Sequence, residues 1–282
     1  MGQILSKYTL VVFIFITRFC FSQDEGVKPP VIKEYKGDSS YANFNNLRFD
    51  VAKAQINLLK SGALLVRLKT NINTITKLKA AGNIDLATQV ERETNLRNKI
   101  IIASYLQEFT FCPVYFFYSN YSDSVKNKNI KGIFLNSNLE IDPTIECKAS
   151  FYLIADYGGK IYNSSLGIVP ESVASRSNER GDPVREVAIS IKNRYFIQLH
   201  NPFPYFQIKS TSKSIVINDP NGQTSALEKL YDQLESTKIG MGEARHLHKF
   251  KGCVFLLNKL FEEYYSKSAG FKVSTELMPY VY

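Results

Sequence analysis

The sequence predicts an α/β fold in which a mixed sheet, with parallel core strands and antiparallel additions, is covered by long helices in three layers. A long helical pattern lies between two apolar stretches, Ala63–Lys69 and Val114–Tyr118. A helix between two strands is typical of a crossover that joins parallel neighbours. After Val187, short strand patterns follow one another without helices between them, which indicates antiparallel pairing.

Val114–Tyr118 is the predicted centre of the sheet. Its residues are aromatic or β-branched on both faces, so both faces need a covering layer. A polar segment with a helix start signal at Ser122 comes next, and the apolar residues that follow predict a third parallel strand near Ile133. Ser150–Ala155 is a further short apolar strand.

Three helical patterns provide the covering layers. In the first, Phe49, Ala52, Ile56 and Leu59 recur at helical spacing. Gly62 is placed to end this helix in a left-handed turn.

The second pattern is long and covers Asn83–Thr110, after a break at Gly82. Its segment Ile100–Leu106 is apolar nearly all round and is predicted to be buried, whereas its charged first half projects. The third pattern carries one apolar stripe from Leu247 to Tyr264 near the end of the chain. The tail that follows is expected to dock as an extended segment through Met278, Tyr280 and Tyr282.

Between Val187 and the last helix the sequence predicts four short strands, followed by a helix with a capping box at Ser225. The strands are Val187–Ile191, Tyr195–Leu199, Tyr205–Lys209 and Ser214–Asn218. A serine-rich, glycine-containing stretch near residues 163–183 predicts a mobile loop. The apolar stripe of the last helix is too long to bury on these hairpins alone. We therefore predict a single domain over residues 44–282.

The N-terminus predicts export. Lys7 precedes an apolar run, and a small residue, Ser22, stands before Gln23, so residues 1–22 read as a signal peptide cleaved near Ser22/Gln23. The run is too short for an anchor, which needs about 20 apolar residues. Residues 23–43 are polar and rich in turn residues and predict a linker or arm.

Two other interpretations of the N-terminus remain open. Met1–Ser6 matches the N-myristoylation pattern, and Cys20 is a candidate for lipidation. Under the export interpretation the protein is periplasmic or secreted, and no transmembrane segment is predicted in the mature chain.

The net charge of the chain limits the classes of partner that it can bind. The formal net charge is +9 at pH 7, which suits acidic lipids, polysaccharide or nucleic acid, although a solvated lysine-rich surface also explains it. Export argues against a nucleic-acid partner. An envelope component, a glycan or a peptide is the partner class that this leaves.

The cysteines and motifs predict neither a metal nor a cofactor. Cys112, Cys147 and Cys253 have no zinc-ligand or C-x-x-C spacing, and Cys112 and Cys253 lie in apolar runs where cysteine acts as a small hydrophobe. One disulfide with one free thiol remains an alternative. The sequence contains no G-x-S-x-G, G-x-G-x-x-G or G-x-x-x-x-G-K-[ST] motif.

Two sets of polar residues are candidates for a site. In open α/β sheets ligands bind beyond the carboxyl ends of parallel strands. Polar residues follow each predicted core strand, and with two tyrosines as walls they suggest a neutral, hydrogen-bonding cleft for a sugar or peptide backbone; the candidate rim is Asn71, Asn73, Tyr118, Asn120, Asp123, Asn136 and Asn138. Ordinary turn chemistry explains the same residues.

Asp123, Asp156 and His200 are the alternative, catalytic candidates. Their convergence in one cleft would favour a cofactor-independent enzyme, such as a hydrolase acting on envelope material. Their dispersal would favour a non-enzymatic binding or envelope-interaction protein, which is the function we expect.

The run Phe111–Ser122, with the sequence FCPVYFFYSNYS, resembles exported proteins of Bacteroidota type that have no assigned activity. The resemblance extends roughly from residue 45 to residue 210. It implies an exported compartment and carries no catalytic residue.

Overall fold

The computed structural model describes residues 41–159, 163–164, 167–168, 176–177, 183–184, 187–208 and 250–281. The predicted signal peptide, nearly all of the predicted arm and the helix predicted near Ser225 lie outside the described residues, as does the strand predicted at Ser214–Asn218. The predicted mobile loop is described only at four two-residue strands.

The strands in chain order are β1 Ala63–Leu68, β2 Val114–Tyr118, β3 Tyr152–Gly159, β4 Asn163–Ser164, β5 Gly167–Ile168, β6 Arg176–Ser177, β7 Pro183–Val184, β8 Val187–Lys192 and β9 Phe206–Ile208. Five of them form one sheet in the order β2-β1-β3-β8-β9. β1 pairs in parallel with β2 and β3, whereas β8 is antiparallel to both β3 and β9. The predicted mixed α/β sheet is therefore confirmed.

The third parallel strand is β3, and the prediction of a parallel strand near Ile133 was wrong. Phe134 makes only an isolated antiparallel bridge with Phe117, and the Leu135 amide donates to the Phe116 carbonyl at 2.9 Å. The chain reverses at Gly132, which has a φ of 71°, instead of crossing over the sheet. The apolar residues near Ile133 were a signal of burial, which strand and irregular segments share.

The α-helices are α1 Tyr41–Lys60, α2 Ile72–Ala80, α3 Ile84–Glu108, α4 Ser122–Lys126, α5 Phe250–Ser268 and α6 Met278–Val281. The 3₁₀ helices are Ser119–Tyr121 and Thr275–Leu277. One face of the sheet packs against α1, α3 and α5, whose side chains form the larger core cluster with those of β1, β2 and β3. Tyr105 of α3 lies at its centre, with edge or tilted ring contacts to Phe109, Phe116 and Phe250.

A second cluster covers the opposite face. It joins Leu65, Phe117 and Ile154 of the sheet to Val125 of α4 and Phe134 of the segment that follows. The Tyr152 hydroxyl donates to the Val125 carbonyl at 2.7 Å, so a buried hydrogen bond attaches α4 to the sheet. This short helix contains Asp123 and Lys126, and the irregular segment 127–149 contains Asn136 and Asn138.

Gly62 has a different role from the predicted one, because it does not adopt a left-handed conformation. A Cβ atom at this position would lie 2.4 Å from the Phe151 carbonyl oxygen and 2.8 Å from that of Leu58. Gly62 is thus required by the close approach of two backbone segments. Of the predicted apolar stripe on α1, Phe49 is 46% exposed, whereas Ile56 and Leu59 are fully buried.

Two predictions near the end of the chain needed correction. Tyr195–Leu199 is a turn with a single bridge between Gln198 and Lys192, not a strand, because Asn193 directs the chain back on itself. The tail is helical, not extended, and it docks through Val281, which is fully buried and accepts a hydrogen bond from Gln55 at 3.2 Å.

Candidate functional site

The loops that follow β1 and β2 meet, as expected for parallel neighbours. The hydroxyl oxygens of Thr70 and Ser119 lie 3.5 Å apart. Asn71 adopts a left-handed conformation with a φ of 51°, and its side-chain amide donates to the Thr94 hydroxyl of α3 at 2.9 Å. Asn73 and Asn120 are exposed nearby. The Asn71 side chain therefore fixes the loop to α3.

Asn136 and Asn138 belong to a turn beside β2. The Asn136 side-chain oxygen accepts hydrogen bonds from the amides of Asn138 at 2.9 Å and Glu140 at 3.1 Å. The Tyr118 hydroxyl donates to the Leu139 carbonyl at 2.7 Å and so attaches the turn to β2. Because the segment near Ile133 is antiparallel to β2, Asn136 does not follow the carboxyl end of a parallel strand, which the proposed three-strand rim required.

The alternative catalytic candidates have different partners. Asp123 is exposed and accepts a hydrogen bond from Lys126 at 3.0 Å. Asp156 is buried in β3, on the face opposite the long helices. The His200 ring contacts Tyr205, which packs against the helix-covered core, and partial burial together with Arg48 lowers the pKa of its imidazole. No contact described for these residues links one of the three with another.

Asp156 is the centre of a group of charged residues that the sheet register brings together. Arg67 of β1 lies directly opposite Asp156 of β3, and Lys192 of β8 lies opposite Ile154, two residues away on the same face. One carboxylate oxygen, Asp156 Oδ2, accepts hydrogen bonds from Arg67 Nη1 at 3.2 Å and from Lys192 Nζ at 2.7 Å. Neighbouring strands therefore place two cations on one buried carboxylate.

The Arg67 guanidinium has two fixed hydrogen bonds. Besides Asp156, it donates from Nε to the Ser122 hydroxyl of α4 at 3.1 Å. No described residue accepts a hydrogen bond from Nη2, and the Arg67 side chain is 26% exposed. Two bonds therefore orient the planar group while part of it remains open to solvent.

Two more lysines add positive charge at this face. Lys69 is exposed, has no ion pair among the described residues, and its ammonium nitrogen would lie 3.3 Å from a Cβ atom at Gly158. Glycine at position 158 thus leaves room for the lysine. Lys126 lies 5.8 Å from the centre of the Phe196 ring, the same ring that Arg67 approaches at 5.4 Å. We refer to Arg67, Lys69, Lys126, Asp156 and Lys192 as the basic cluster.

Phe196 is held beside the basic cluster by a tight turn. The side-chain oxygen of the buried Asn193 accepts hydrogen bonds from the backbone amides of Tyr195 and Ile197, each at 3.0 Å. Phe196 has a φ of 64°, which is unusual for a bulky residue and typical of positions that the surrounding structure over-determines. The turn therefore holds the ring within cation–π distance of Arg67 and Lys126.

The basic cluster has an excess of positive charge and an unsatisfied acceptor. Its four cations face the carboxylates of Asp156 and, through Lys126, Asp123. Asp156 Oδ1 is buried and has no hydrogen-bond partner among the described residues. The excess of positive charge can attract an anionic group to the exposed part of Arg67 and to Lys69. The unpartnered carboxylate oxygen does not contribute to this attraction, because it suits a hydrogen-bond donor.

The sequence contains a signal for this cluster in two of its strands. Arg67 interrupts an otherwise apolar buried strand, and Asp156 does the same in β3. A buried charged residue is almost always paired. Two opposite charges in neighbouring strands therefore predict each other, once the order of the strands is known.

Within the described part of the chain there is no group of histidine, cysteine or acidic residues with the arrangement of a metal site. The described helices include none that is long and apolar enough to cross a membrane. Cys112 and Cys253 belong to the larger core cluster, Cys147 packs against the second cluster, and burial raises the pKa of Cys112 to about 12. These cysteines therefore act as packing groups in this structure.

The function has to be inferred from the basic cluster, because comparison with known proteins gives no match. No protein-family model, curated protein sequence or solved structure matches this chain.

Proposed function

We propose that this chain is an exported, non-enzymatic binding protein that holds an anionic group of an envelope component at the basic cluster. The observation that carries the proposal is the Arg67 guanidinium, which two hydrogen bonds orient and which stays 26% exposed. A planar, oriented guanidinium suits carboxylate, sulfate or phosphate oxygens, which it binds in pairs. Lys69, two residues further along the chain and exposed, supplies a second positive charge.

The contacts of Asp156 support binding over hydrolysis. Two cations share one of its carboxylate oxygens, so ion pairing already uses the negative charge that a general base needs. The alternative, a cofactor-independent hydrolase using Asp123, Asp156 and His200, needs these groups around one substrate. Their described contacts offer no support for that arrangement.

The charge of the cluster also favours an anionic ligand over the neutral one that the strand ends predicted. Asn71 and Asn136 use their side chains to fix turns, whereas Arg67 and Lys69 keep polar hydrogens toward solvent. An acidic polysaccharide combines the required charge with the predicted compartment. The predicted export argues against nucleic acid as the ligand, because it separates the protein from nucleic acid.

Retention on two chemically matched polymers tests the proposed ligand class. We expect the protein to bind immobilised dextran sulfate and to ignore neutral dextran, because both have the same sugar and differ in charge. The double variant Lys69→Gln/Lys126→Gln should bind dextran sulfate about tenfold more weakly at low salt, from two exposed charge contacts. Lys77→Gln/Lys99→Gln, which removes the same charge from exposed positions on α2 and α3, is the control.

Two results would contradict the proposed ligand class. One is equal loss of binding in the two double variants, which would mean that net charge alone retains the protein. The other is binding of neutral dextran as tightly as dextran sulfate. Either result would mean that the basic cluster is not a specific site for an anionic ligand.

The proposed export has a separate test in the intact mass of the protein from its native cell. We expect a mature chain that begins at Gln23. A species that retains residues 1–22, or one with a myristoyl group on Gly2, would contradict export by a cleaved signal peptide.

A further inference from the structure

A pocket of about 280 Å³ opens between the turn Asn201–Tyr205 and the second half of α5. Helix α5 contributes Leu260, Glu263, Tyr264 and Lys267 to its lining, and the turn contributes Asn201, Pro202, Phe203, Pro204 and Tyr205. The pocket lies on the helix-covered face of the sheet, because Phe203 belongs to the larger core cluster. The basic cluster lies on the opposite face. The pocket is thus a second, independent feature of the molecule.

The lining divides into an apolar wall and a polar rim. Two tyrosines and two prolines provide flat, apolar surface, and both tyrosines are half-buried. Asn201, Glu263 and Lys267 are exposed at the edge and offer hydrogen-bond donors and acceptors of both charges. Partial burial raises the pKa of Tyr264. A tyrosine hydroxyl can donate as well as accept a hydrogen bond.

Hydrogen bonds and ring contacts hold the turn side of the pocket in place. The Phe203 amide donates to the His200 carbonyl at 3.0 Å, and the Ile191 amide of β8 donates to the Tyr205 carbonyl at 2.6 Å. The Phe203 ring packs edge-on against Phe261 and Tyr264 of α5, at centroid distances of 5.5 and 6.3 Å. A preorganised wall reduces the entropy that a ligand loses on binding.

We propose that this pocket binds a single carbohydrate ring. The apolar face of a sugar packs against tyrosine and proline, while its hydroxyls, each both donor and acceptor, bond to Asn201, Glu263 and Lys267. The volume of about 280 Å³ admits one ring and lies just below the usual range for small-molecule sites, which begins at about 300 Å³. A proline-rich peptide also prefers aromatic walls, but it needs an extended groove with successive subsites, which is more than a pocket of about 280 Å³ provides.

Saturation-transfer NMR with N-acetylglucosamine and with glucose tests the proposal. We expect saturation transfer from the protein to at least one of these sugars, with a Kd of about 1 mM, which is usual for a ligand of this size. The double variant Glu263→Gln/Lys267→Gln should weaken binding about tenfold, because it removes two charge-assisted hydrogen bonds without touching the core. Glu276→Gln/Lys272→Gln, at exposed positions outside the pocket, should bind as the unmodified protein does.

Three results would overturn the proposal. They are no transfer to either sugar, transfer that the Glu263→Gln/Lys267→Gln variant leaves unchanged, and binding of an oligoproline peptide that this variant abolishes while the sugars do not bind. The variant changes only exposed side chains, and a circular dichroism spectrum equal to that of the unmodified protein confirms that it is folded. A negative result here leaves the anion site of the opposite face unaffected.

Discussion

The buried ion pair between Asp156 and Lys192 is predicted to stabilise the fold far more than an exposed pair of similar geometry. The two charged atoms are 2.7 Å apart, and the side chains are 9% and 13% exposed. At an effective dielectric constant of about 20 this distance corresponds to roughly 6 kcal/mol of attraction. Loss of hydration at both groups offsets much of it.

Substitution of Asp156 by asparagine tests this prediction because it keeps the shape and removes the charge. It leaves Lys192 and Arg67 beside a neutral amide, and breaking a buried pair in this way costs about 3 to 5 kcal/mol. We expect a loss of about 3 kcal/mol in the free energy of unfolding, at the lower limit, because Arg67 is 26% exposed and stays partly hydrated.

A double-mutant cycle measured by urea unfolding separates the pair from its surroundings. Asp156→Asn, Lys192→Met and their combination should show a coupling energy of about 2 kcal/mol. The control cycle uses Asp123→Asn and Lys126→Met, a pair 3.0 Å apart whose side chains are 82% and 42% exposed. Its coupling should stay below about 0.5 kcal/mol. Equal coupling in the two cycles would refute the argument that burial decides the strength of the pair.

Three further outcomes follow from the described contacts. Gly62→Ala should lower the free energy of unfolding by about 2 kcal/mol in urea denaturation, because its methyl group meets the Phe151 carbonyl oxygen; an unchanged midpoint would contradict the close approach. A thiol reagent at pH 8 should modify half-buried Cys147 before buried Cys112, whose pKa is about 12, and mass spectrometry after partial labelling would expose the reverse order. The lowered pKa of His200 means that the unfolded chain binds more protons near pH 6 than the folded chain does, so stability is lost as the pH falls below the unfolded pKa of about 6.5. Thermal unfolding of His200→Gln should show a smaller loss of stability over this pH range. A pH profile identical to that of the unmodified protein would argue against the lowered pKa.

The strands were predictable because burial on both faces leaves a local signal. Val114–Tyr118 and Ala63–Leu68 are short apolar runs, and a long helix lies between them, so parallel pairing followed from the chain order. The segment near Ile133 is equally apolar, yet it covers the sheet instead of joining it as a parallel strand. Hydrophobicity reports burial, and only the hydrogen-bonding partner distinguishes the two cases.

The basic cluster depends on register, which is a property of pairs of strands. The sequence predicted Asp156 as a catalytic candidate together with Asp123 and His200, and it did not predict the cations that pair with Asp156. Its neighbours Arg67 and Lys192 come from strands 89 and 36 residues away in the chain. Gly62 shows the same limit, because the close contact that requires a glycine is made with a distant strand.

The side-chain Nε–H signal of Arg67 in ¹⁵N-edited NMR, assigned with the Arg67→Lys variant, tests the central claim most directly. The hydrogen bond to Ser122 should slow its exchange with water and make the signal visible. During titration with dextran sulfate we predict a saturable shift of this signal, and none with neutral dextran. An unmoved Arg67 signal, with shifts confined to an exposed arginine such as Arg92 on α3, would contradict an anion site at the basic cluster.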